Sequence, residues 1–127
     1  GMETGQTALM GASGGGHLKI VKGLLAGGAN KDKAIDNGAT PLFIAAHQGH
    51  IAVVEALLKV GADKDKAIDN GATPLFMAAH NGHTDIVRAL LGKGADVGKV
   101  HEDGHTASFI ATVKGHEDIV QLLQQAV

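Results

Sequence analysis

The chain has 127 residues, a formal net charge of −2 with histidine neutral, 44% apolar residues, and no cysteine, tryptophan or tyrosine. This length bounds it to one domain, and the missing cysteine excludes disulfides, thiol catalysis and cysteine-type zinc sites. The charge lacks the clustered basic face of a nucleic-acid binder, and no apolar run approaches the roughly 18 residues of a membrane span.

No basic segment followed by an apolar one opens the sequence, and Gly1 ahead of Met2 reads as a tag remnant. The expectation is a single cytoplasmic domain over residues 2–127, without membrane or nucleic-acid partners. With Phe43, Phe76 and Phe109 as the whole aromatic complement, the core must be aliphatic.

The chain repeats itself every 33 residues. Gly-x-Thr occurs at Gly5-Gln6-Thr7, Gly38-Ala39-Thr40, Gly71-Ala72-Thr73 and Gly104-His105-Thr106. Gly-His follows at Gly16-His17, Gly49-His50, Gly82-His83 and Gly115-His116, and then an apolar pair at Ile20-Val21, Val53-Val54, Ile86-Val87 and Ile119-Val120. A fixed period of this length signals stacked supersecondary units, here about 2–34, 35–67, 68–100 and 101–127.

In the first unit, Gly11, Gly14, Gly15 and Gly16 fall in the first predicted helix. Glycine costs about 1 kcal/mol relative to alanine inside a helix, so this helix is expected to be the weakest. The same stretch does not qualify as a phosphate loop: no strand precedes it and no Lys-Ser/Thr follows at the required spacing.

The second unit shows the pattern in full. Asp36-Asn37-Gly38 is a turn signal. Thr40 caps a helix opened by Pro41, whose missing N–H would be unpaired there in any case. Leu42, Ala45 and Ala46 share one face, and Gly49 supplies the left-handed stop. His50 opens a second helix with a stripe of Val53, Val54, Leu57 and Leu58, and Gly61 ends it. The third unit follows the same course. Units two and three are identical from Lys31 to Phe43 and from Lys64 to Phe76, which fits a recent duplication or a consensus-style array. The last unit has Ala107-Ser108 for Pro-Leu, Thr112 for the second alanine, and a polar Gln121-Leu122-Leu123-Gln124-Gln125 finish. That polarity suits a capping unit with one uncovered face.

Thr40-Pro41-Leu42, Ala45-Ala46, Gly49-His50, Val53-Val54, Leu57-Leu58 and Gly61-Ala62-Asp63, with their third-unit equivalents, resemble the ankyrin repeat. The resemblance implies an all-α solenoid of helix-turn-helix units joined by hairpin loops. It also implies a non-enzymatic, monomeric module that binds a protein partner, without cofactor or metal. Partners of the family are gripped by hairpin tips and the concave first-helix face. Carried over, these positions are Asp36, Asn37, Ala39, His47 and Gln48; Asp69, Asn70, Ala72, His80 and Asn81; and Glu102, Asp103, His105, Val113 and Lys114. Glu3, Thr4 and Gln6 match in the first unit. A structural scaffold with no dedicated partner and a regulatory fragment of a larger protein remain the alternatives.

Two departures from the family stand out. Phe43, Phe76 and Phe109, with Met10, replace a usual histidine. Ile35 and Ile68, with His101, replace a usual aspartate ahead of the turn glycine, which puts hairpin hydrogen bonding in question. Restoring aspartate at 35 and 68 is accordingly expected to stabilise the fold. The Gly-His histidines are expected to hydrogen-bond in the turn between helices, and Lys31-Asp32-Lys33 and Lys64-Asp65-Lys66 to be solvated flanks. The cluster His101, Glu102, Asp103 and His105 has no nucleophile beside it and is not expected to be catalytic.

Overall fold

Helices of seven to twelve residues are marginal alone in water, so each must lie against a neighbour. In the computed structural model, which describes residues 4–126, eight helices meet this need by stacking. They are α1 (Thr4–Gly15), α2 (Leu18–Ala26), α3 (Pro41–Gln48), α4 (Ile51–Lys59), α5 (Pro74–Asn81), α6 (Thr84–Gly92), α7 (Ala107–Val113) and α8 (Glu117–Gln125). Among the described residues there is no strand.

The first helices α1, α3, α5 and α7 pack on one another in order, and the second helices α2, α4, α6 and α8 form a parallel row behind them. The first row packs more closely because small residues line it: Ala45, Ala46, Ala78, Ala79 and Ala111 are all fully buried. Between the rows lies an aliphatic core that includes Leu42, Val53, Leu57, Leu75, Ile86, Leu90 and Ile119. Each such side chain contributes roughly 1.5–3 kcal/mol by leaving water.

Helix ends follow the local chemistry. Thr40 Oγ1 accepts the Phe43 N–H at 3.2 Å, and Thr73 and Thr106 do the same for Phe76 and Phe109 at 3.1 Å. Pro41 and Pro74 occupy the first turn, and Gly49 and Gly82 close α3 and α5 at φ of 84° and 76°. The first unit departs from the plan. α1 begins at Thr4, so Gly5-Gln6-Thr7 continue a helix where the other units place a turn.

Ser13 takes the register position of Ala46 and Ala79. Like them it is fully buried, and its hydroxyl has no hydrogen-bond partner.

Hairpin bonding does not need the replaced aspartate. Ile35 N–H donates to Ala39 O at 2.9 Å, Gly38 N–H donates to Ile35 O at 2.8 Å, and Asn37 Oδ1 accepts the Ala39 N–H at 3.0 Å. The third unit repeats all three bonds. In the fourth, His101 Nδ1 accepts the Asp103 N–H at 3.2 Å, a short polar side chain's task performed by an imidazole. Ile35 and Ile68 are half-buried and pack against the core.

Candidate functional site

The loop tips are joined to one another. Asn37 O accepts the Asp69 N–H at 2.9 Å, and Asn70 O accepts the Glu102 N–H at 2.7 Å. The approach is close: a Cβ on Gly38 would lie 3.2 Å from Ile68 Cα, and one on Gly71 would lie 3.0 Å from Val100 O. Both glycines have φ near +90°, which side-chain-bearing residues rarely adopt. Lower in the loops, Asp32 Oδ1 accepts the Asp63 N–H at 2.7 Å and Asp65 Oδ1 accepts the Asp96 N–H at 2.9 Å. The charged runs expected to be solvated flanks therefore contain structural rungs at Asp32 and Asp65.

Along this ladder the carboxylates of Asp36, Asp69, Glu102 and Asp103 are exposed. Asn37 is exposed and Asn70 half-exposed, each with its side-chain oxygen committed to its own turn. Ala39 and Ala72 do not belong to the surface. Both are 1% exposed and sit in the core, because the residue before the capping threonine turns inward as the chain enters the helix.

Behind the tips, the first-helix ends carry His47, Gln48, His80 and Asn81. Gln48 Nε2 donates to His47 Nδ1 at 3.4 Å, His80 Nδ1 donates to Asn81 Oδ1 at 2.9 Å, and Asn81 Nδ2 donates to His47 O at 3.0 Å. These contacts hold the side chains in place.

The Gly-His histidines reach further than their own turn. His50 Nε2 bonds Gly14 O at 3.0 Å, His83 Nε2 bonds His47 O at 3.3 Å, and His116 Nε2 bonds His80 O at 3.3 Å. A carbonyl only accepts, so Nε2 carries the hydrogen in each ring. The preceding unit's glycine makes room for the ring: a Cβ on Gly16, Gly49 or Gly82 would come within 2.7–2.8 Å of the next unit's imidazole. Gly49-His50 and Gly82-His83 are thus each half of two joints, the glycine seating one ring and the histidine filling the seat before it.

At the far end an aromatic stack forms. Phe76 and His101 lie 5.1 Å apart between centroids, His101 and His105 6.5 Å, and His105 and Phe109 4.2 Å. Phe43 and Phe76 are 6% and 7% exposed, whereas Phe109 is 47% exposed. Val113, one turn on from Phe109, is also exposed, and Lys114 follows it as the C-cap of α7. Polarity in the last unit therefore covers that end only in part. The sequence marks Phe109 as a departure from the family pattern but does not show that its ring is exposed.

Of the first unit's candidates, Glu3 lies outside the described residues, as do the side chains of Thr4 and Gln6. Among the described residues no group of three or more His, Asp or Glu converges as metal ligands. No helix there is long and apolar enough to cross a membrane.

A family model described as ankyrin repeats in three copies matches residues 1–68 and 64–126. No curated protein matched the chain.

Proposed function

We propose, from the premise that this chain belongs to the ankyrin-repeat family, that it grips a protein partner through its hairpin tips and first-helix face. Ankyrin repeats are generally protein-interaction modules and generally non-enzymatic. The observation that carries the reading is the backbone ladder from Asn37 to Asp69 and from Asn70 to Glu102, which holds the acidic tips at a fixed spacing. A fixed row of carboxylates selects a partner with lysine or arginine at matching intervals. Phe109 and Val113 add an apolar anchor at one end of that row. The face has no tryptophan, tyrosine or arginine, the usual carriers of interface energy, so affinity is modest.

The test is a photo-crosslinking scan. A photoreactive residue at Asn37, Asn70 or Asp103 should give discrete adducts in a lysate, and one at Glu55 or Arg88 on the second helices should not. Adducts confined to the second-helix row would refute the assignment of the face.

A second reading has its own support. Asp36 and Asn37 recur unchanged as Asp69 and Asn70 within a 13-residue identity, whereas a binder under selection diversifies such positions. A scaffold with no dedicated partner would give no discrete adduct at any tip.

A further inference from the structure

The back of the array carries a feature that the tip-binding reading does not use. Between α2 and α4 lies a groove of about 390 Å³, floored by Leu25, Ala26, Ala56 and Val60 and bordered by Lys22 and Lys59. Its size falls within the range of small ligand sites. Among the described residues no carboxylate lies within 4 Å of the ammonium of Lys22 or Lys59. Lys31 also lines the groove and is shared with Asp32 at 3.6 Å.

The repeats provide an internal comparison. One period on, Lys22 becomes Glu55, Asn30 becomes Asp63, Lys59 becomes Gly92 and Val60 becomes Lys93. The equivalent positions between α4 and α6 thus bring carboxylates in and lose an apolar residue. Among the described residues, the first pair of units alone combines an apolar floor, two lysines with no carboxylate within 4 Å and no acidic lining residue. Val60 is half-exposed there, a branched apolar side chain left in water.

We propose that this groove docks a short acidic amphipathic peptide segment, its apolar side chains on Leu25, Ala56 and Val60 and its carboxylates on Lys22 and Lys59. The groove runs along Lys22 to Ala26 of α2 and Ala56 to Val60 at the end of α4, so at 1.5 Å per residue its helical walls are roughly 7 Å long. That length takes a little over one turn of a helix, enough for a pair of apolar residues three or four apart, the helix-in-groove mode. An anionic bilayer is the poorer match, since it would meet the lysines across a chain of net charge −2 with acidic tips.

The test titrates the full chain into a fluorescent, N-acetylated ten-residue peptide in which two leucines four apart are flanked by glutamates. Anisotropy should rise and saturate. The double variant Lys22→Glu/Lys59→Glu should weaken binding at least about tenfold, and so should Val60→Asp. All three substitutions sit on exposed side chains, and circular dichroism checks that the fold is kept. Replacing the peptide glutamates with lysines, or its leucines with serines, should abolish binding. Asp36→Lys/Asp69→Lys should leave it unchanged, which separates this site from the tip face. Failure to saturate by about 1 mM, equal binding by Lys22→Glu/Lys59→Glu, or retention on anionic vesicles without peptide binding would each overturn the proposal.

Discussion

Replacing Ser13 with alanine should stabilise this protein. Ser13 is fully buried in α1 and its hydroxyl meets no partner. An unsatisfied buried polar group costs about 1–3 kcal/mol in lost hydration, and alanine is the better helix former by a few tenths of a kcal/mol. The void left by one oxygen is small, and alanine already serves at the equivalent Ala46 and Ala79, both fully buried. The net gain is roughly 1–2 kcal/mol, read as a higher urea midpoint at unchanged slope. Thr112 occupies the same register position in the last unit, where it is exposed and its hydroxyl donates to Ser108 O at 2.9 Å. Thr112→Ala should therefore change stability by less than about 0.5 kcal/mol. A midpoint for Ser13→Ala equal to or below wild type, or a gain matched by Thr112→Ala, would refute the argument from the unpaired hydroxyl.

Three further outcomes follow from the packing. Gly11→Ala and Gly23→Ala place a methyl in open space on helical backbone, so each should raise stability by about 0.5–1 kcal/mol in a urea melt. Gly49→Ala should destabilise by more than Gly115→Ala: both have positive φ, but only at Gly49 does the new Cβ meet an imidazole, that of His83 at 2.7 Å. Equal losses would mean the ring moves aside freely. Ile35→Asp with Ile68→Asp should lower the melting temperature, the reverse of the expectation from family pattern alone. The exchange adds at best an exposed turn bond of about 1 kcal/mol at each site, while each half-buried isoleucine gives up core contact that contributes more than that.

How far the residues announce this structure varies along the chain. The 33-residue step, the threonine caps, Pro41, Pro74 and the glycine stops were legible because each acts within a few residues of itself. The histidine joints were not: His83 bonds a carbonyl 36 residues earlier, a relation that only stacking creates. Burial of Ala39 and Ala72 was hidden for the same reason, since alanine suits surface and core alike. The first unit misleads because Gly5-Gln6-Thr7 matches the turn landmark, yet no Asp-Asn tip precedes it to hold the turn, and α1 runs through it. Among the candidate residues, the acidic tips could be named from their offsets. Their rigidity could not, because the bonds from Asn37 and Asn70 join loops a full repeat apart.

The most direct test of the central claim is a lysate capture with three folded baits. They are the wild type, a tip variant carrying Asp36→Lys, Asp69→Lys and Glu102→Lys, and a back-face variant carrying Glu55→Lys and Arg88→Glu. Binding through the tips predicts a protein retained by the wild type and the back-face variant and lost from the tip variant. Capture that survives in the tip variant and disappears from the back-face variant would contradict it.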